Sequence, residues 1–189
     1  MTDTFRTSKT VSSIDPGKPH IILVGLPGAG KSTVGALLAE KLNRTFLDFD
    51  LEIERREGMA IPQIFGERGE AGFRQLERAL TEELTQFGNM VLSPGGGWIS
   101  QPEVVKLLRP PATMIYLRAR PEAALQRLGG SAGGRPLLNR PDPLGELKSL
   151  FEARRAAYLS ADIEVGTELV TPQQVAEQIL AKLNPAPKA

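Results

Sequence analysis

Short apolar runs alternate with amphipathic segments along most of the chain. Residues 21–24 (IILV) are continuously apolar, which is typical of a strand buried on both faces of a sheet. Residues 31–42 place apolar side chains at helical spacing and predict a helix. The same reasoning predicts strands at 45–47, 90–93, 113–117 and 162–165, and helices at 51–57, 70–87, 102–108, 121–128, 146–159 and 171–183. This alternation indicates an α/β fold, with a parallel sheet covered by helices on both faces.

Two stretches lack this periodicity. Residues 1–19 are polar and predict a flexible leader ahead of one domain, residues 20–189. Residues 129–143 are rich in Gly and Pro, and a loop of this length is commonly a lid over a ligand site or else a flexible surface loop. The leader lacks the apolar stretch of a secretory signal. No apolar run reaches the roughly 18 residues of a membrane span, so we expect no membrane partner.

The composition narrows the possible chemistry. The 189 residues include no Cys and one His, His20, which excludes disulfides, thiolate nucleophiles and sites with several His ligands. A net charge of +1 gives no overall field that favours nucleic acid, and we expect none as a partner. Arg outnumbers Lys by 15 to 8, and Arg grips carboxylate and phosphate in a bidentate manner. A solvated surface would explain this excess equally well.

The strongest motif is GLPGAGKS at residues 25–32, which matches the phosphate-binding pattern G-x-x-x-x-G-K-[ST]. It lies between a predicted buried strand and a predicted helix, where its glycines let backbone N–H groups surround phosphates. Lys31 can reach the β- and γ-phosphates, and the hydroxyl of Ser32 can bind Mg²⁺. The motif therefore predicts a nucleoside triphosphate site, without saying where the phosphoryl group goes.

Two carboxylates follow the second predicted strand. Asp48 and Asp50 are two residues apart, so in an extended chain their side chains would share one face at the carboxyl edge of the sheet. One could orient the water shell of Mg²⁺ and the other could accept a hydroxyl proton. Alternatively, Asp50 would cap a helix that starts at Leu51, and this role is compatible with the first.

Cationic side chains recur in the middle of the chain. Arg74 and Glu77 are three residues apart on a predicted helix and can pair, which would prepare an Arg fork for a carboxylate ligand. Taken alone, such a pair more often lies on a solvated surface. Arg135 lies in the predicted lid and could close over phosphates. Arg154, beside Arg155 on a later helix, could supply a further cation.

Three successive glycines follow the predicted strand 90–93. They would let the backbone approach a ligand closely, and a plain turn would not need all three. Trp98 comes directly after them and could line a pocket, although a lone Trp is more often part of the core. The glycines are Gly95, Gly96 and Gly97.

Together these motifs resemble the shikimate kinase family, in the right order and over residues 20–184. The resemblance implies a three-layer α/β/α P-loop kinase fold with a five-stranded parallel sheet, a substrate-binding region at about residues 50–80 and a mobile lid at about 129–143. It implies Mg²⁺-dependent transfer of a phosphoryl group from ATP to the 3-hydroxyl of shikimate, in aromatic amino acid biosynthesis. It further implies a cytoplasmic monomer whose partners are shikimate and ATP.

The resemblance also implies a role for each motif residue. Asp50 would bind shikimate hydroxyls and act as a base or orienting group, and Asp48 would lie in the outer shell of Mg²⁺ beside Ser32. The catalytic residues would be Lys31, Asp50 and Arg135. The nucleotide would contact Gly28, Ala29, Gly30, Lys31, Ser32, Thr33, Arg127 and Arg135. The substrate would contact Asp50, Arg74, Gly95, Gly96, Gly97 and Arg154.

Two other functions remain open from the sequence. Another small-molecule kinase of this fold, acting on gluconate or a nucleotide, would keep residues 25–32 but lose the combination of Asp50, Arg74 and the three glycines. A non-catalytic ligand sensor would show altered residues at Lys31, Asp50 or Arg135, or an attached DNA-binding domain. All three residues are intact here, and a 19-residue leader is too short for such a domain.

Overall fold

A five-stranded sheet forms the centre of the protein in the computed structural model, which describes residues 17–129 and 141–184. Every neighbouring pair of strands is parallel. The strands are β1 (Ile21–Val24), β2 (Thr45–Asp48), β3 (Met90–Ser93), β4 (Thr113–Arg118) and β5 (Ile163–Gly166). All residues of β1 and β3 are buried, as their predominantly apolar sequences predict. The predicted α/β fold with a parallel sheet is confirmed.

Helices connect the strands and cover the sheet. They are α1 (Lys31–Leu42), α2 (Phe49–Glu57), α3 (Ile61–Leu84), α4 (Pro102–Leu108), α5 (Pro121–Leu128), α6 (Pro143–Leu159) and α7 (Pro172–Leu183), with a 3₁₀ helix at Trp98–Ser100. Helix α1 contacts α7, α3 contacts both α2 and α4, and α6 contacts both α5 and the 3₁₀ helix. Several helices begin with Pro, whose missing N–H costs nothing in a first turn.

The strand order β2-β3-β1-β4-β5 determines where a ligand can bind. The chain leaves β1 toward β2 and leaves β3 toward β4, so the connections of these two neighbouring strands run in opposite directions. Right-handed crossovers then place the following helices on opposite faces, which opens a crevice at the carboxyl ends of β1 and β3. Asp48 pairs with Ser93 in the sheet, so β2 ends at the same level as β3. The loops after β1, β2 and β3 therefore meet at one edge.

Helix α2 begins two residues earlier than predicted. Its cap is Asp48 and not Asp50, because Oδ1 of Asp48 accepts hydrogen bonds from the backbone N–H groups of Asp50 (3.1 Å) and Leu51 (3.4 Å). Asp50 consequently lies in the first turn of α2. The expectations that Asp50 caps the helix, and that Asp48 and Asp50 share the face of an extended strand, are both wrong.

Helix α3 also begins earlier than the predicted residue 70. It contains a kink at Gly69 (φ 66°, ψ −177°), where the backbone adopts a conformation that favours glycine. Before the kink, Ile64 is fully buried and Phe65 packs against Phe73 with the ring centroids 4.8 Å apart. Tertiary packing thus stabilises a helical segment whose own pattern is too short to predict it.

The amino end of the sheet is closed by residues just before β1. The carbonyl oxygen of Lys18 accepts a hydrogen bond from the backbone N–H of Asn89 (2.7 Å), and that of Pro19 accepts one from Arg44 (2.8 Å). His20 is buried, and its Nε2 lies 3.1 Å from the carbonyl oxygen of Leu84 at the end of α3. The one His of the chain therefore lies at the opposite edge of the sheet from the motifs.

Candidate active site

The loop between β1 and α1 has the backbone of a phosphate-binding loop. Gly25, Gly28 and Gly30 have φ values of 152°, 81° and 96°, a region that residues with a Cβ rarely adopt. A Cβ on Gly28 would lie 2.3 Å from the carbonyl oxygen of Ala124, so the loop packs tightly on α5. Lys31 is buried, and its Nζ donates to two carbonyl oxygens of the loop (3.1 and 3.2 Å). Its ammonium thus lies over the loop, beside the positive end of α1.

Ser32 and Asp48 join this loop to the neighbouring strand. The hydroxyl of Ser32 donates to Oδ2 of Asp48 at 2.5 Å, while Oδ1 of Asp48 caps α2. Mg²⁺ usually takes one or two protein oxygens and completes its shell with phosphate and water. In residues 17–129 and 141–184, no group of three or more His, Cys, Asp or Glu could hold a metal alone. The two oxygen donors therefore fit a metal that arrives with a nucleotide.

The predicted pair of Arg74 and Glu77 forms, and it is buried rather than solvated. Nη1 of Arg74 donates to Oε2 of Glu77 at 2.5 Å, and Nη2 donates to Glu70 at 2.9 Å. The side chain of Glu77 has no exposed surface, whereas that of Arg74 keeps 19%. Burial opposes the charge on Arg74, but the two glutamates outweigh it and raise the pKa of the guanidinium. Arg74 is thus a charged fork held in one orientation.

The glycine turn after β3 lies directly against these charged groups. A Cβ on Gly97 would lie 2.1 Å from Nη2 of Arg74. A Cβ on Gly95 would lie 2.7 Å from Oε1 of Glu77 and 2.9 Å from Oδ1 of Asp50. No side chain fits at either position without moving an ionic group, so only glycine leaves these groups in their present places.

Arg154 approaches the same turn from α6. Its Nη1 would lie 3.3 Å from a Cβ on Gly96, and Arg154 is only 7% exposed. One helical turn later, Tyr158 is fully buried and stacks on Tyr116 with the ring centroids 4.9 Å apart and the planes at 4°. Arg155 is exposed. The packing of α6 therefore brings Arg154, and not Arg155, to the glycine turn.

A cavity of about 160 Å³ connects the phosphate loop with the glycine turn. Lys31 and Ser32 line it from the side of the loop, Asp48 and Asp50 from the end of β2 and the start of α2, and Gly96 from the turn. The structure thus gathers residues predicted separately for nucleotide, metal and substrate around one space. An oxygen bound near Asp50 would face a phosphate bound near Lys31.

A second cavity, of about 280 Å³, lies against the phosphate loop and is bordered by α5 and the start of α7. Arg127 lines it and donates to the hydroxyl of Thr167 (2.9 Å) and to the carbonyl oxygen of the same residue. Val170 and Pro172 add apolar surface. A planar guanidinium and apolar side chains suit a flat heterocycle such as a nucleotide base. Because Gly28, Ala29, Gly30 and Thr33 line this cavity, a triphosphate could extend from it along the loop.

Two residues that belong to no sequence motif are part of this arrangement. Thr167 holds Arg127, and Nε2 of Gln101 donates to Oε2 of Glu77 at 3.1 Å. These partners are 40 and 24 residues apart in the chain, so no local pattern could have identified them. Trp98, directly after the glycines, is fully buried and belongs to the core.

Part of the predicted site lies outside the described residues. Arg135 and the central part of the predicted lid, residues 130–140, fall in the gap between the described ranges 17–129 and 141–184. Within those two ranges, none of the helices is both long enough and apolar enough to cross a membrane.

Comparison with known proteins agrees with the arrangement of the site. The family model for shikimate kinase matches residues 27–184. The shikimate kinase of Aquifex aeolicus is 43% identical over 164 residues, which cover 87% of this chain and 95% of the relative. That of Synechococcus sp. is 40% identical over 177 residues, covering 89% and 90%. A solved shikimate kinase from Acinetobacter baumannii, in complex with shikimate, is 40% identical with a TM-score of 0.84 and covers 89% of this chain and 94% of its own. A match of this extent shows that the chain belongs to the shikimate kinase family of ATP-using phosphotransferases.

Proposed function

We propose that the protein transfers the γ-phosphoryl group of Mg²⁺-bound ATP to the 3-hydroxyl of shikimate, giving ADP and shikimate 3-phosphate. The observation that carries this proposal is the single cavity in which Lys31 and Ser32 face Asp50 and the glycine turn. A donor phosphate and an acceptor hydroxyl react when they are held in contact and apart from bulk water. The shikimate bound to the related Acinetobacter enzyme supports the choice of acceptor.

On the donor side, the chain supplies cationic and dipolar groups. The ammonium of Lys31 would leave the loop carbonyls for phosphate oxygens, and the backbone at the start of α1 would add its positive dipole. Ser32 and Asp48 would hold Mg²⁺, directly and through water respectively. Mg²⁺ offsets the negative charge of the phosphates when it is bound. The base would lie between Arg127 and Pro172.

On the acceptor side, two guanidinium groups would hold the carboxylate of shikimate. Arg74 and Arg154 both lie against the glycine turn, with Gly97 and Gly96 respectively as neighbours. At Nη2 of Arg74 the present partner is Glu70, whose side chain is 62% exposed. A substrate carboxylate can replace this exposed partner while the buried bond to Glu77 persists, so the fork is oriented before the substrate arrives.

Asp50 would orient the hydroxyl that attacks the phosphorus and accept its proton. Its place in the first turn of α2, beside Gly95, puts the carboxylate on the wall of the shared cavity. Phosphoryl transfer needs mainly alignment and neutralised charge, so one carboxylate suffices for the acceptor. Arg135 would add a further positive charge from the lid. We also expect the enzyme to act as a monomer.

Two measurements test the proposal: a comparison of acceptor substrates and the kinetics of the variant Asp50→Asn. ADP release should be followed in a coupled assay with shikimate, gluconate and nucleoside monophosphates. Of these three acceptors, we expect only shikimate to support ADP release. For Asp50→Asn we expect kcat to fall about 10²- to 10⁴-fold, because the amide cannot accept the proton. ATP binding should stay within about twofold, since the phosphate loop is unchanged.

Two results would contradict this function. Equal ADP release with and without shikimate would show that shikimate is not the acceptor. A near-normal kcat for Asp50→Asn would remove Asp50 from the chemistry and leave it as a helix residue of the cavity wall.

A further inference from the structure

The segment that follows the glycine turn is fastened to α3 at two points. Nε2 of Gln101 donates to Oε2 of Glu77 at 3.1 Å, and Nε1 of Trp98 donates to the hydroxyl oxygen of Thr81 at 3.0 Å. The hydroxyl of Thr81 in turn donates to the carbonyl oxygen of Glu77 (2.7 Å). Glu77 and Thr81 are one helical turn apart, so both bonds reach the same face of α3. These bonds fix the position of the turn relative to α3, the helix that carries Arg74.

Within this contact, Gln101 controls the orientation of a buried carboxylate. Arg74 and Gln101 both donate to Oε2 of Glu77. The other oxygen, Oε1, is buried with no hydrogen-bond partner among the described residues, and it points toward Gly95 and Asp50. Because two donors converge on one oxygen, they fix the rotation of the carboxylate. Without Gln101, only Arg74 would hold the plane of the carboxylate in this orientation.

The charge of Glu77 depends on the same two donors. Burial raises the pKa of its carboxyl, Arg74 opposes this, Asp50 reinforces it, and the hydrogen bond from Gln101 favours the charged form. A protonated Glu77 would be a weaker partner for Arg74 than a carboxylate. The guanidinium of Arg74 lies directly against Gly97. Any movement of Arg74 therefore changes the shape of the surface that this side chain and the turn form together for the substrate.

We propose that Gln101 is a positioning residue for substrate binding, which fixes Arg74 against the glycine turn by orienting Glu77. Gln101 does not touch the substrate, and it sets the affinity of the Arg74 fork for the substrate carboxylate through this chain of contacts. The inference rests on the proposed function, because it takes Arg74 as the group that binds the carboxylate of shikimate.

Gln101→Met removes the amide and keeps the length of the side chain. In the full-length protein we expect the KM for shikimate to rise about three- to tenfold, as for one hydrogen bond in a buried network, with kcat and the KM for ATP within about twofold. The matched control is Gln86→Met, which removes an exposed amide that donates to Thr85 (3.1 Å) beyond the end of α3. This control should leave all three constants unchanged.

Gln101→Glu adds a readout that simple loss of packing would not produce. A protonated Glu at position 101 can donate to Glu77, whereas an ionised one repels it. The neighbouring carboxylate of Glu77 disfavours the charged form of a Glu at position 101 and raises its pKa above the usual value of about 4.3. The shikimate KM of this variant should therefore fall toward that of the native protein as the pH is lowered from 8 to 5. The other charged groups that face the pair are Arg74 and Asp50, with Glu70 on the far side of Arg74. These groups are present in both the native protein and Gln101→Glu. The ratio of the two shikimate KM values at each pH therefore reports the effect of residue 101.

The possible outcomes separate the inference from the proposed function. If the native protein does not phosphorylate shikimate, the proposed function fails. If it does, and both variants at position 101 keep the native KM for shikimate at every pH, the inference is wrong. It is also wrong if kcat falls or the KM values for both substrates rise together. Should Gln101→Met fail to fold, the pH dependence of Gln101→Glu decides alone.

Discussion

The two glycine-rich segments of the site need glycine for different physical reasons. In the phosphate loop the backbone requires it, since Gly28 has a φ of 81°, which strains any residue with a Cβ. In the turn after β3 the surrounding space requires it. Gly97 has a φ of −89°, which any residue can adopt, yet a Cβ there would lie 2.1 Å from the guanidinium of Arg74. An Ala at position 28 should therefore strain the backbone, whereas an Ala at position 97 should displace a neighbouring side chain.

Gly97→Ala should displace Arg74 while leaving the backbone of the turn unstrained. We expect the KM for shikimate to rise by about tenfold or more, because misplacement of a binding group by about 1 Å is costly, while the KM for ATP stays nearly constant. Steady-state kinetics measure both constants. The matched control is Gly66→Ala in α3, where a Cβ would meet no described atom within 4 Å apart from its chain neighbours and the nearby backbone of the helix. It should keep native kinetics and gain up to about 1 kcal/mol in unfolding free energy from helix propensity. Identical kinetics for both variants would contradict the close contact at Gly97.

At the scale of elements, α3 links the site to the opposite edge of the sheet. Its middle carries Arg74 and Glu77, and its last turn is held by His20, which precedes β1. Burial lowers the pKa of His20, although the hydrogen bond to the carbonyl oxygen of Leu84 acts in the other direction. The folded protein therefore favours the neutral imidazole, so protonation of His20 favours unfolding.

His20→Gln should make stability less dependent on pH. Because the folded state lowers the pKa of His20, its contribution is present above the unfolded value of about 6.5 and is lost as the pH falls through the folded pKa. Urea unfolding between pH 7 and 5 should show a steeper loss of unfolding free energy for the native protein than for the variant. Carboxyl groups such as Glu77 titrate in both proteins and cancel in the difference. Parallel curves would show that His20 does not couple folding to pH.

For the whole molecule, the amino-terminal boundary of the domain depends on contacts across the sheet edge. The polar composition of residues 1–19 predicts a leader that ends at residue 19. The carbonyl oxygen of Lys18, however, accepts a hydrogen bond from the backbone N–H of Asn89, which is buried just before β3. Removing Lys18 would leave that donor without this partner. The folded unit therefore includes at least residue 18.

Two truncated proteins locate this boundary. A protein that begins at residue 17 should match the full chain in melting temperature and in kinetics. One that begins at residue 19 lacks Lys18 but keeps the Pro19 carbonyl that accepts from Arg44. It should lose about 1–3 kcal/mol of unfolding free energy, with its kinetic constants retained because the site lies at the other edge. Thermal melting and the coupled assay measure both effects. Loss of activity on removal of residues 1–16 would contradict their assignment as a leader.

Elements with strong local signals were predicted with their observed bounds. Strand β1 is a continuous apolar run, β3 is an apolar run that ends in Ser93 before Pro94, and α4 and α5 begin at Pro. The start of α2 was missed because the cap depends on which carboxylate reaches the free N–H groups. The first part of α3 was missed because its stability comes from the burial of Ile64 against distant residues.

Features that depend on neighbouring residues could be predicted from the amino-acid sequence. The phosphate loop is contiguous, and Arg74 and Glu77 pair because helical geometry places residues three apart on one face. Which groups meet across the cavity depends on the packing of elements that are distant in the chain. This packing placed Asp48 as the cap of α2, brought Arg154 and not Arg155 to the glycine turn, and joined Gln101 to Glu77. Such contacts join residues far apart in the chain, so they follow from strand order and helix packing, which local periodicity does not encode.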